Sequence, residues 1–281
     1  MNQNNPLRQY FRQPAIYIRL PSGGKFYPEG TISLPINGEL PILPMTAIDE
    51  ITYRTPDALF NGSAVVSVVE SCCPAIKDAW GIPAMDVDSI LVGVRIASYG
   101  HNMDFESRCP HCGESADHTL DLRSVLDRMT VPDYGQPIRH SDMEIYLKPM
   151  TYKNLNDNNQ SQFDEQKILS MLPESEMPES EKMNALSIAL RKITEVTVKA
   201  LALSISAVKT PSAFVTEPEF IEEMLNNCDR TLFNLIRSRI IELKSQAEMQ
   251  PFELTCSNDA CDKKYMQSVT LDMSSFFGPA S

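Results

Sequence analysis

The chain has 281 residues, 42% of them hydrophobic and 22% charged, enough to bury one or two cores. A formal net charge of −12 disfavours a general binder of phosphate backbones, and no apolar run nears the about 18 residues of a membrane span. The first residues lack the apolar stretch and small-residue cleavage site of a secretory signal, so an intracellular protein is expected. In a reducing compartment the seven cysteines read as metal ligands or buried thiols rather than disulfides.

In chain order, residues 1–13 form a polar arm in which Arg8, Tyr10, Phe11 and Arg12 are interleaved. These are residue types enriched at interface anchors, and a frayed terminus is the competing reading. Ala15-Ile16-Tyr17-Ile18-Arg19-Leu20 reads as a strand. Pro21-Ser22-Gly23-Gly24 is a tight turn, and Lys25-Phe26-Tyr27 resumes the run, which predicts an N-terminal β-hairpin within residues 1–38.

From Glu39 the pattern occurs twice. Glu39-Leu40-Pro41-Ile42-Leu43-Pro44-Met45-Thr46 has a counterpart in Glu144-Ile145-Tyr146-Leu147-Lys148-Pro149-Met150-Thr151, each a strand ending in Pro-Met-Thr before a helical pattern. Thr46 with Asp49 or Glu50 resembles a helix N-cap with acidic residues in the first turn. Phe105-Glu106-Ser107-Arg108-Cys109 matches Phe252-Glu253-Leu254-Thr255-Cys256, and residues 119–126 match 270–277. Leu91 to Ile96 and Leu235 to Ile240 correspond weakly, with Arg95 and Arg239 in step. Three ordered matches predict an internal duplication, with residues 39–130 as the first half and 131–281 as the second.

The second half is the longer one. Its acidic stretch 174–181 reads as a solvated loop and helix start. After it, Leu186, Leu190, Ile193, Thr197, Leu201 and Val208 share one face at helical spacing, a stripe expected to be buried core. Thr216, Pro218 and Glu219 open a further helix by the capping-box pattern. Residues 229–247 make another, with Leu232, Leu235, Ile236, Ile240 and Leu243 on one face.

The chemistry sits at the cysteines. Cys109-Pro110-His111-Cys112-Gly113 is a Cys-x-x-Cys knuckle in which two thiolates can reach one ion while Gly113 eases the turn. Cys256 and Cys261, with four residues between them, form a looser knuckle. The 143 residues between Cys112 and Cys256 far exceed the spacing of a compact ribbon. Duplication removes that objection, because equivalent knuckles can face each other. The expectation is one tetrahedral site of Cys109, Cys112, Cys256 and Cys261 holding a structural zinc ion, with no open position for substrate.

A redox pair is the competing reading, but it expects a strand–helix context and these pairs sit between strand patterns. His111, inside the first knuckle, is an alternative ligand. His101, His118 and His140 read as surface histidines, and Cys72, Cys73 and Cys228 as small buried hydrophobes. No G-x-S-x-G, H-E-x-x-H or phosphate-loop pattern is present, so no enzyme is expected.

Several blocks, in order, resemble a known family. They are Leu20-Pro21-Ser22-Gly23-Gly24-Lys25-Phe26-Tyr27-Pro28, residues 43–50, Thr55-Pro56-Asp57-Ala58-Leu59, and Val69-Glu70-Ser71-Cys72-Cys73-Pro74-Ala75-Ile76-Lys77. Asp86 to Leu91, Arg95 to Gly100 and Cys109 to Cys112 continue the series. Together they resemble the baseplate hub and hub assembly proteins of T-even-type contractile-tailed bacteriophages. The strand–Pro-Met-Thr–helix unit is also similar to that of phage tail assembly chaperones, which hold the tape-measure protein. The resemblance implies a non-enzymatic component or assembly factor of the baseplate hub. Its partners would be other hub or tail proteins and the tape-measure protein, with no nucleic acid, membrane or small-molecule substrate. It would act in the host cytoplasm during assembly and in the virion tail baseplate.

The expected fold is α+β: duplicated strand–helix units, two knuckles forming one zinc-ribbon-like hairpin module, and the N-terminal hairpin. The alternative function is a zinc-ribbon regulator of nucleic acid or polymerase, which would require a basic face that the net charge does not suggest.

Overall fold

Twenty prolines cut the chain into short elements, since each removes a backbone donor and fixes its own φ. The computed structural model describes residues 6–54, 61–171 and 178–268, as helices and small antiparallel sheets of the α+β class. The blocks expected at 55–59 and 270–277, and the first half of the acidic stretch 174–181, lie outside those residues. The chain divides into two compact units: residues up to Ala79, Met85–Thr130 and the chain from Glu248 form the first, Trp80–Ala84 and Val131–Ala247 the second.

The first unit begins with strands β1 (Ile16–Arg19) and β2 (Glu39–Ile42), then helices α1 (Ala47–Tyr53), α2 (Ser63–Cys72) and α3 (Ala84–Tyr99). Strands β3 (Asn102–Arg108) and β4 (Ser115–Asp121) and helix α4 (Leu122–Arg128) follow. The second unit has β5 (Ile138–His140), β6 (Met143–Leu147), α5 (Tyr152–Met171), α6 (Glu179–Leu203), β7 (Ile205–Lys209), β8 (Phe214–Val215), α7 (Pro218–Asn227) and α8 (Arg230–Ala247). Strands β9 (Phe252–Thr255) and β10 (Lys264–Gln267) return to the first unit.

The predicted N-terminal hairpin does not form from residues 15–27. Strand β1 pairs antiparallel with β2, Ile18 opposite Leu40, and residues 21–24 are turn without a strand behind them. The reason is Asp86 on α3. Its carboxylate accepts from the Ser22 amide at 2.8 Å, the Ser22 hydroxyl at 2.5 Å and the Tyr27 hydroxyl at 2.9 Å. Those bonds draw the segment onto the helix and away from a ladder. Phe26 is left at φ 67, a conformation that costs a bulky residue energy unless its surroundings fix it.

The helix and ribbon meet closely at Gly93. A Cβ there would collide with the Ile42 side chain and press on Ile18, and Ile18, Ile42, Ile90 and Val94 are buried. Thr46 caps α1 as expected, its amide donating to Asp49 at 2.7 Å and its hydroxyl accepting from the Asp49 amide. The arm is fastened by Arg12. Its guanidinium donates to the carbonyls of Pro44 and Ser71, at 2.6 and 2.7 Å, and pairs with Asp49 at 3.2 Å. Burial opposes ionisation of Asp49, but the Thr46 and Ser71 donors and Arg12 hold it below its ordinary range. Tyr10 and Phe11, just before Arg12, stay exposed.

The second unit is built on the antiparallel sheet β5-β6-β7-β8. Ile145, Leu147, Leu201, Ile205, Val208, Ile221, Leu232, Ile236 and Leu243 form its core. The helical stripe expected to be buried is only partly so. Helix α6 ends at Leu203, so Val208 belongs to β7, and Leu186 and Leu190 are 38% and 51% exposed. The core surrounds the C-terminal part of α6. The N-terminal part instead turns Ala189 inward and pairs Lys192 with Glu165 of α5 at 3.2 Å. At the next helix Glu217, not Thr216, is the N-cap residue, and no side chain caps it.

Gly93→Val overpacks this contact and should cost about 1–3 kcal/mol in urea unfolding, with unchanged midpoint overturning the assignment. Burial pushes the Asp86 carboxyl up to about 6, outweighing the Ser22 and Tyr27 donors that pull it down. The folded state then binds the proton more tightly than the unfolded state, whose carboxyl titrates near about 3.9. Stability from this group is therefore full below about pH 4 and is lost as pH rises through about 6. Relative to Asp86→Asn, the wild type should lose on the order of 3 kcal/mol between about pH 4 and pH 7.

Candidate metal centre

Two hairpins carry the cysteines. In the first, β3 pairs with β4 from Asn102↔Asp121 to Arg108↔Ser115, and Cys109 to Cys112 fill the turn. In the second, β9 pairs with β10, Thr255 opposite Lys264, and Cys256 to Cys261 fill the turn. The two turns close alike. The Cys109 amide donates to the Glu114 carbonyl at 2.8 Å, and the Cys256 amide to the Lys263 carbonyl at 3.0 Å. Behind the second cysteine of each pair the backbone turns left-handed, at Gly113 with φ 78 and at Asp262 with φ 42. Glycine meets that requirement without strain in the first turn, whereas the second relies on an aspartate.

The four predicted ligands come together. One sulfur from each of Cys109, Cys112, Cys256 and Cys261 lies within 4.8 Å of all the others, and the Cys112 and Cys256 sulfurs are 3.5 Å apart. A tetrahedron of thiolates around zinc, with Zn–S near 2.3 Å, has sulfurs about 3.8 Å apart, so the set is of the right size. Cys109 and Cys256 are buried, Cys261 is half-buried and Cys112 is exposed. His111 is exposed and outside the set.

The donor chemistry also fits a cation. Burial raises the Cys109 thiol, yet the Cys112 and His111 amides and the neighbouring sulfurs bring it down to about 7. The Asn258 amide favours the Cys256 thiolate, but burial and the sulfurs of Cys112, Cys109 and Cys261 push it up to about 12. Once one sulfur is ionised, the others resist following it. A divalent cation removes that resistance by neutralising several thiolates at once. The four cysteines could therefore hold a metal ion.

Among the described residues, the contacts that join the hairpins around the sulfurs are few. Tyr265 and the two first cysteines are the buried residues of this cluster, with Leu254 and Cys261 packed against them. Phe105 meets Phe252 edge-on at 5.6 Å, and His118 stacks on Phe105. Ser107 lies 3.1 Å from the Tyr265 hydroxyl and donates to the Gln267 side-chain carbonyl at 2.7 Å. Phe105 and Phe252 stand in the repeated Phe-Glu-x-x-Cys block, so their pairing had a signal in the sequence. Ser107, Tyr265 and Gln267 had none. Of the remaining cysteines, Cys72 and Cys73 are fully buried as expected of small hydrophobes, with burial pushing the Cys72 thiol up to about 12, whereas Cys228 is only half-buried.

No curated protein and no solved structure matches the chain. The sequence profile of one family does, over residues 31–278, a span from before β2 to beyond β10. That span contains both hairpins, all four clustered cysteines and the whole second unit. With most of its length matched, the chain belongs to the T4 bacteriophage base plate protein family.

Proposed function

We propose that this protein is a non-enzymatic component or assembly factor of the phage baseplate hub. It acts through contacts with other hub or tail proteins and with the tape-measure protein. The family match over residues 31–278 is the observation that carries the reading. The four-sulfur cluster supports its structural side, because four protein ligands around a tetrahedral ion leave no position for water or substrate. Zinc is the ion that such a set of thiolates suits best. The protein would meet its partners in the host cytoplasm during assembly, and as a hub component would remain in the virion tail. Among the described residues no helix is long and apolar enough to cross a membrane.

The zinc would join two hairpins that could not hold together well without it. A two-stranded hairpin is marginal in water, and among the described residues this pair shares a small buried cluster. Zinc at such a site contributes on the order of 10 kcal/mol, well above the about 1 kcal/mol of the Ser107–Tyr265 bond. The closing bonds of the two turns, both made by the amide of the first cysteine, also support a common duplicated origin for the hairpins.

Elemental analysis of the purified chain should find one zinc per molecule. Cys112→Ser and Cys261→Ser should each lose it and expose residues 248–268 to proteases, while Tyr265→Phe retains it. Two independently bound ions, or none, would contradict the shared site. Because thiolates are the ligands, zinc occupancy should fall as pH is lowered. Disrupting the gene should stop tails from assembling; normal tails would sink the baseplate role. Mass spectrometry of virions then separates a resident hub component, present in fixed ratio, from an assembly factor, absent.

A further inference from the structure

The four sulfurs of the cluster are not equally open to solvent. Cys109 and Cys256 are buried and Cys261 is half-buried, whereas Cys112, the last residue of its turn, is exposed. Oxidation of cysteine follows thiolate character and exposure together. A bound metal ion holds every ligand sulfur as thiolate, so exposure decides among these four. Away from the cluster, Cys72 and Cys73 are fully buried, and the Cys228 thiol donates to the Leu225 carbonyl at 3.4 Å.

A reversible oxidation site also needs a second thiol within reach of the first. The Cys256 sulfur lies 3.5 Å from that of Cys112, in van der Waals contact, and it comes from the other hairpin. The backbone on both sides is held. The Cys256 amide donates to the Lys263 carbonyl at 3.0 Å, and the Gly113 amide to the Cys109 carbonyl at 2.9 Å. Closing 3.5 Å to a disulfide bond moves the two sulfurs together by about 1.5 Å, a displacement that side-chain rotation supplies.

We infer that Cys112 is a site of oxidation by hydrogen peroxide, and that Cys256 resolves it into a disulfide that joins the two hairpins and releases the metal ion. The inference rests on the metal reading proposed above. The Cys112 thiolate attacks one peroxide oxygen; an S–O bond forms, the O–O bond breaks and hydroxide leaves, giving a sulfenic acid. The Cys256 thiolate then attacks the Cys112 sulfur; the S–S bond forms, the S–O bond breaks and a second hydroxide leaves. Two electrons have passed from the two sulfurs to the peroxide. Cys109 and Cys261 remain, too few to complete a tetrahedral shell, and the ion is lost.

The join between the hairpins thus changes in kind and does not fail. The disulfide spans a long stretch of chain, where a cross-link constrains the unfolded state most. A tail protein assembled in a reducing cytoplasm and carried out of the cell would exchange a metal clip, which chelators remove, for a covalent one, which they do not. A link within one turn, Cys109 to Cys112 or Cys256 to Cys261, would release the ion and leave the hairpins unjoined.

The zinc-loaded full chain, treated with one equivalent of hydrogen peroxide, should release its zinc to a chromogenic chelator in step with one new disulfide. Peptide mapping without reduction should place that bond between Cys112 and Cys256. Dimedone, which traps sulfenic acids, should label Cys112 when present during the reaction. Residues 248–268 should stay as resistant to proteases as in the zinc-loaded chain, and dithiothreitol with zinc should restore the starting state. Cys228→Ser, outside the cluster, should respond as the wild type does. A chain that never holds zinc overturns the metal reading and this inference with it. Bound zinc that withstands peroxide, a disulfide confined to one turn, dimedone on Cys109 or Cys256, or release that requires Cys228 overturns this inference alone.

Discussion

The four-sulfur cluster is the constraint on which the first unit depends, because it brings together hairpins 144 positions apart in the chain. Closing a flexible loop of that length costs about 4 kcal/mol, beyond a constant term. The packing visible between the hairpins is an edge-on aromatic pair, one buried tyrosine and two side-chain hydrogen bonds at Ser107. Terms of that kind contribute about 1 kcal/mol each and roughly offset the closure. A zinc ion at the sulfurs would decide the balance.

Elsewhere in the first unit, buried and half-buried polar side chains hold what the short strands cannot. Asp86 gathers Ser22 and Tyr27, and Arg12 gathers Pro44, Asp49 and Ser71. Each ties an irregular segment of the N-terminal region to a helix or to the chain beside one, where a strand ladder would otherwise have to do so. A body fixed in this way leaves Tyr10, Phe11, Ile48 and Ile51 exposed. Such side chains on a family member from the baseplate suit a protein whose neighbours cover part of its surface.

What was legible in the sequence was local. The Thr46 capping box needs only residues 46–49, and each knuckle needs only its own turn, so spacing reveals both. The partner of β1 was not legible, because it depends on a carboxylate at position 86 competing for Ser22 and Tyr27. The stripe on α6 shows the limit of periodicity. It identifies an apolar face at Leu186 and Leu190 but not whether that face meets a core, and in this chain it does not. The cluster of Cys109, Cys112, Cys256 and Cys261 was reached from sequence only because the Phe-Glu-x-x-Cys block occurs twice. Its supports, Ser107, Tyr265 and Gln267, carry no pattern.

The account turns on whether those four cysteines hold one zinc ion with sulfur alone. X-ray absorption at the zinc edge of the purified full chain measures that directly. It should give four sulfur neighbours at about 2.3 Å and no nitrogen or oxygen in the coordination shell. A mixed shell with imidazole or water, or protein that carries no zinc when prepared in its presence, would contradict it.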